Sequence, residues 1–261
     1  MKKIGLVLVG IISALVLAGC AGKTENKEAN NKKEEKKVIK VGMEVAYPPF
    51  EYFKEDQTTI TGLDHDLAVA IGKELGYEVE FVNTAWDNIF TDLDDKKYDV
   101  IMSAITITDE RKEKYDFSTP YIQNYQCLVT RDTAKLQPTD MKMLNNAIVG
   151  CLKESTSASY LSDYVKENKI KVTQKDYDVM LDAFTDLKNK KLHAVICDST
   201  LAEQYCKDPS YVMTWKQKEN PEEFAVCFPK GSKYVGEFNK AIDKLKKNGE
   251  LDKIINMYIG K

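Results

Sequence analysis

Strand and helix patterns that alternate in two runs, with a break near Pro138, predict an α/β protein built as two doubly wound lobes. Two further observations support this class. Tyr98 to Ala104 is almost continuously apolar, as in a strand buried on both faces. The segment after residue 222 is too short for a third lobe, so it returns to the first, and the two crossings make a two-strand hinge.

Val38 to Val45 reads as a strand, with Val41, Met43 and Val45 alternating on one face. Leu63, Leu67, Ile71 and Leu75 predict an amphipathic helix over Gly62 to Leu75, stopped by Gly76. Val79 and Phe81 mark the next strand, and Trp86, Ile89, Phe90 and Leu93 recur at helical spacing. Beyond Pro138, strands are expected at Ala147–Cys151, Ile170–Thr173 and His193–Cys197. Helices are expected at Ser157–Glu167, Val179–Leu187 and Thr200–Cys206. A strand at Glu223–Phe228 and helices from Val235 to Tyr258 complete the chain. The expected division is residues 38–125 for lobe 1, 126–222 for lobe 2 and 223–261 for the return. Strands that alternate with helices imply parallel sheets covered on both faces.

The first 37 residues are a separate object. Lys2 and Lys3 precede an apolar run from Ile4 to Val16, shorter than the ~20 residues a spanning helix needs. Leu17-Ala18-Gly19-Cys20 resembles the lipobox of bacterial lipoproteins. That resemblance implies a signal peptide over 1–20 and a lipid on Cys20, which holds the chain on the outer face of the cytoplasmic membrane. Residues 21–37 contain no large apolar side chain and are expected to be a disordered tether.

The formal charge of −3 conceals an acidic body, because residues 38–261 hold 30 basic and 37 acidic side chains. That balance argues against nucleic acid and mildly favours cationic small ligands. Two histidines and no Cys-x-x-Cys pair leave no metal site to be read, and no cofactor is expected. Five cysteines follow Cys20. A Cys127–Cys227 bridge is one candidate pairing among them.

The chemistry concentrates in Ser103-Ala104-Ile105-Thr106-Ile107-Thr108-Asp109-Glu110-Arg111. There a buried strand ends and Thr108 caps a short helix. Arg111 can grip a carboxylate with two parallel hydrogen bonds, and Thr106 adds a hydroxyl and an N–H. Ligands of open α/β sheets sit at such strand ends.

Val41-Gly42, Tyr47-Pro48-Pro49-Phe50, Gly62-Leu63-Asp64-His65-Asp66-Leu67, Thr106 to Arg111, and Asp116-Phe117-Ser118-Thr119-Pro120-Tyr121 occur in that order. Together they resemble the polar-amino-acid binding proteins of ABC importers, solute-binding family 3, over Val38 to Tyr258. The resemblance implies the type II periplasmic-binding-protein fold and a free amino acid held between the lobes. It also implies a monomer, with a permease and an ATPase as partners. Carried across, Arg111, Thr106 and Thr156 hold the α-carboxylate, while Asp198 and the Ala104 carbonyl hold the α-ammonium. Ser103 lies beside them. Glu154 stands where relatives usually have glycine. Tyr47 and Trp86 are expected as pocket walls, and Glu44 and Asp64 as acids. Glu44 tilts the ligand toward arginine, lysine or histidine, with glutamine or cystine as the alternative. A dehydratase on the same fold is the enzyme alternative, with Glu44 or Asp64 as its acid. No nucleophile elbow or phosphate loop is present.

Overall fold

The computed structural model describes residues 37–259. The leader, Cys20 and the tether up to residue 36 lie outside the described residues. The first stretch forms β1 (Lys37–Met43), a hairpin of β2 (Tyr52–Phe53) and β3 (Ile60–Thr61), α1 (Leu63–Leu75) and β4 (Tyr77–Asn83). A 3-10 turn (Trp86–Asn88) then runs into α2 (Ile89–Asp94), β5 (Val100–Ile101), α3 (Asp109–Lys114), β6 (Tyr115–Phe117) and β7 (Ile122–Asn124). The second stretch forms β8 (Gln126–Arg131), β9 (Ala147–Leu152), α4 (Thr156–Asn168), β10 (Val172–Tyr177) and α5 (Met180–Lys188). It continues with β11 (Ala194–Asp198), α6 (Ser199–Tyr205) and β12 (Tyr211–Lys216). The last segment forms β13 (Glu222–Phe224), β14 (Cys227–Pro229), α7 (Val235–Lys247) and α8 (Glu250–Tyr258).

Two five-stranded sheets result, in the orders β4-β1-β5-β14-β6 and β10-β9-β11-β8-β12. Neither is wholly parallel, which corrects the expectation from strand–helix alternation. In the first sheet β1 runs parallel to β4 and β5, while β14 is antiparallel to β5 and β6. In the second, β9 is parallel to β10 and β11, while β8 is antiparallel to β11 and β12. The odd strands, β14 and β8, follow the crossings β13 and β7. A chain that has just crossed from the other lobe enters its new sheet in the opposite direction. β7 and β13 pair with each other, antiparallel, and form the hinge ladder.

The local signals explain where elements start and stop. Gly62 precedes α1 at φ 131, and a Cβ there would lie 2.1 Å from the Phe50 carbonyl oxygen. Only glycine fits both the left-handed backbone and the close approach. Leu63, Leu67 and Ile71 then form the buried stripe of α1. The expected Tyr98–Ala104 strand contributes only Val100 and Ile101 to the ladder. Met102 still donates to Gly42 O at 3.1 Å, but Ala104 turns left-handed at φ 49 and takes the chain out of the sheet. The Glu223–Phe228 strand divides into β13 and β14, because the chain changes partner from β7 to the first sheet. Strands β6, β7, β8 and β12 were not expected. Several of their buried positions are polar, including Asn124, Gln126 and Thr130. Cys127 lies in the second sheet and Cys227 in the first, so they do not bridge. Cys127 instead faces Cys197 across β8 and β11, and all five described cysteines are free.

The core is tight around β1. A Cβ on Gly42 would come within 2.3 Å of the Tyr98 ring, whose hydroxyl donates to Ile89 O. Gly42→Ala is therefore expected to lower the unfolding free energy by about 1–3 kcal/mol in urea melts. Gly236→Ala, with nothing within 4 Å of its Cβ, is expected to cost nothing.

Candidate functional site

The carboxyl ends of β1, β4, β5, β9 and β11 converge on one cavity. Nine of the sequence-predicted residues line it: Glu44, Tyr47, Trp86, Ser103, Ala104, Thr106 and Arg111 from the first lobe, and Thr156 and Asp198 from the second. Asp64 does not reach it. That carboxylate is fully buried behind the wall, where Oδ2 accepts from the Ala104 N–H at 2.7 Å. Leu152, Ser155 and Ser157 complete the lining and were not predicted.

Arg111 stands on α3, whose first turn is set by the Thr108 hydroxyl accepting from the Arg111 N–H at 3.1 Å. Its guanidinium donates to Thr106 O at 2.9 Å and stacks over the Phe90 and Trp86 rings at 5.0 and 5.9 Å. Desolvation pushes its pKa down, and a half-buried arginine with one carbonyl partner retains donors for an anion. Opposite, Ser155 caps α4 by accepting from the Ala158 N–H at 3.2 Å, so the helix N-terminus opens toward the cavity. Free N–H groups and the helix dipole favour negative charge there. Glu154, just before the cap, takes the left-handed conformation at φ 55, the kind of backbone glycine adopts without strain.

Asp198 ends β11 and is held from three sides. Tyr47 donates to it at 2.5 Å across the lobes, Asn124 at 2.7 Å and Gln126 at 3.2 Å. Burial, and then the charge of Glu222, raise its pKa to about 7 despite those donors. Glu44, just beyond β1, is 6% exposed, and burial aided by the charge of Asp87 raises its pKa to about 7. Its backbone N–H donates to the Ser103 hydroxyl at 3.1 Å, and that hydroxyl donates to Glu51 at 2.7 Å. Glu51 and Asp64 are both fully buried, and burial raises both pKa values. The lobes also meet at the rim, where the Trp86 indole N–H donates to Lys153 O at 3.0 Å and Lys153 pairs with Asp87 at 3.0 Å.

Sequence reasoning missed Asn124, Gln126 and Glu222, which hold Asp198 and the threonines from the crossing region. Their local sequence carries no signal, since their roles exist only once β7 and β13 have paired. Ser155 was the legible omission, a serine placed to cap a helix. Among the described residues no cluster of three His, Cys, Asp or Glu is arranged to hold a metal ion.

A cleft between two lobes, lined by one arginine and by two buried acids, has known counterparts. Residues 39–261 match the model of the bacterial extracellular solute-binding proteins, family 3. The chain belongs to that family. The "probable histidine-binding protein" of Campylobacter jejuni is 31% identical, covering 99% of each chain. The "L-cystine-binding protein TcyJ" of Escherichia coli is 29% identical, covering 97% of this chain and 94% of that one. Among solved structures, "an ancestral arginine-binding protein bound to arginine" superposes with a TM-score of 0.79 at 32% identity, covering 85% of this chain and 98% of that one. An ancestral amino-acid-binding protein described as a precursor of cyclohexadienyl dehydratase superposes at 0.78 with 30% identity, covering 85% and 96%. The type II periplasmic-binding-protein fold and an amino-acid-binding family are thereby established, and the family is extracellular. No helix among the described residues is long and apolar enough to cross a membrane.

An acid whose folded pKa exceeds its unfolded value stabilises the fold at low pH. That contribution falls as pH rises from the unfolded to the folded pKa. For Glu44 the window runs from 4.5 to about 7. Without added amino acid, the parent is expected to lose about 3 kcal/mol more than Glu44→Gln across it. Urea melts of both proteins over that range measure the difference.

Proposed function

We propose that this chain is the receptor of an amino-acid importer: it takes a free L-amino acid with a cationic side chain, arginine, lysine or histidine, between its lobes and delivers it to a membrane permease. The observation that carries the reading is the charge pattern of the cleft. Arg111 supplies a single cation at one end, while Glu44 and Asp198 present buried carboxyl groups to the same cavity.

In this reading the α-carboxylate lies on Arg111 and the N-terminus of α4, and the α-ammonium lies on Asp198 and the Ala104 carbonyl. The cationic side chain extends toward Glu44, between Tyr47 and Trp86. Groups from both lobes engage only when the cleft closes, and a ligand shifts that equilibrium by its differential affinity for the two states. Closure also removes water, which strengthens the ionic hydrogen bonds. A bound cation stabilises the ionised form of Glu44, so affinity for arginine rises with pH through about 7. The lipid on Cys20, the leader over 1–20 and the tether over 21–37 complete the proposal by holding the receptor beside its transporter. The chain is proposed to act as a monomer and to catalyse nothing.

One observation favours a second reading, an enzyme of the dehydratase type. A carboxyl group that titrates near neutrality inside a closed cleft, as Glu44 does, suits a general acid. Stripped of ligand by unfolding and refolding, the protein is melted against each of the twenty amino acids. Ligand at about a hundred times its Kd adds ~2.7 kcal/mol, a shift of several degrees. Arginine, lysine or histidine is expected to give that shift, and Glu44→Gln to weaken them at least tenfold more than glutamine. A shift with glutamine or cystine alone removes the side-chain assignment. No shift with any amino acid removes the receptor reading and leaves the enzyme.

A further inference from the structure

Glu222 opens β13, opposite Asn124 in the hinge ladder, so it belongs to the crossing between the lobes. Its carboxylate nevertheless reaches two threonines that line the cleft. Oε2 accepts from the Thr106 hydroxyl at 2.9 Å and from the Thr156 hydroxyl at 3.0 Å. Oε1 accepts from the Gln126 amide at 3.0 Å. Thr106 lies in the first lobe, pinned beside β13 by the Ile107 N–H donating to Glu223 O at 2.9 Å. Thr156 is the first residue of α4 in the second lobe. The two hydroxyl oxygens stand 3.5 Å apart, with one carboxylate oxygen receiving both.

A carboxylate oxygen offers two lone pairs, and each hydroxyl has a single proton to give. One side chain therefore uses the donors of both lobes, through charge-assisted bonds stronger than their neutral equivalents. Gln126 extends the connection. The nitrogen that donates to Glu222 also donates to Asp198, while its oxygen accepts from Ser157 at 2.6 Å. Both ends of the candidate site are thus tied to one acid in the hinge.

We propose that Glu222 is a latch: a tethered carboxylate that binds the Thr106 and Thr156 hydroxyls together and populates the closed arrangement of the lobes before any amino acid arrives. The inference rests on the two-lobed binding reading for its consequence, which is that an amino acid meets a cleft with part of its closing cost already met. Its chemistry also overlaps with that of the ligand, because the threonines it holds are the ones proposed for the α-carboxylate.

Trp86 provides the test without any ligand. Its indole belongs to the first lobe and donates to Lys153 O in the second, and the chain has only two tryptophans. In mature protein carrying Trp215→Phe and stripped of ligand, Trp86 emission and acrylamide quenching report whether the lobes touch. The parent is expected to show a shielded indole. Glu222→Ala and Thr156→Val, which break the latch from its two sides, are each expected to shift emission to the red and about double the quenching constant. Both should retain a cooperative melt. An indole already fully quenchable in the parent overturns the proposal, as does a change with only one variant or with neither. A change with Glu222→Ala alone would mean that β13 packing, and not the hydroxyl bridge, is responsible. Since no amino acid is added, the outcome is independent of which amino acid the cleft takes.

Discussion

Carboxyl groups largely withdrawn from water govern this molecule. Glu44, Glu51, Asp64 and Asp198 are all buried around one cleft, and ionising any of them there is costly unless donors or a cation answer the charge. The surrounding structure supplies part of that answer. The Ala104 N–H serves Asp64, the Ser103 hydroxyl serves Glu51, and Tyr47, Asn124 and Gln126 serve Asp198. Of the two acids that face the cavity, Glu44 and Asp198, Glu44 has no such side-chain donor among the described residues. A bound cation would supply what the chain itself leaves out.

This constraint explains why the walls of the site depend on residues that never touch it. Asp64 sits behind Ala104 and accepts from its N–H at the left-handed turn that brings Ala104 and Thr106 to the cleft. Glu51 holds Ser103, which in turn accepts from the Glu44 N–H. The hinge ladder adds the second lobe, because Asn124 and Glu222 face each other in register and both lead into the group around Asp198. Fold and site are therefore one arrangement, since pairing the crossing strands also fixes the donors around the buried acids.

Much of this was legible in the sequence. The periodicity of α1, with its glycine punctuation, and the strands β1, β9 and β11 follow from alternation that local burial enforces. Arg111 and Thr106 were legible because a buried strand ended beside a capped helix. The crossing strands were not, because a strand that pairs at a hinge and buries Asn124 or Gln126 lacks an apolar alternation. The place of Asp64 behind the wall was illegible for a related reason. An acid in a motif near the cleft gives no sign of whether it faces the cavity or supports the backbone behind it. Chain direction in the two sheets was hidden as well, since it depends on where the chain re-enters after crossing.

The central claim is that buried acids in the cleft are completed by a cation, and counting protons tests it most directly. Titration calorimetry of L-arginine or L-lysine near pH 7, repeated in buffers of different ionisation enthalpy, gives the number of protons exchanged on binding. Glu44 and Asp198 both titrate at about 7, so the account predicts net proton release, larger than for any neutral amino acid that binds. Binding with no proton release, or with proton uptake, would contradict it.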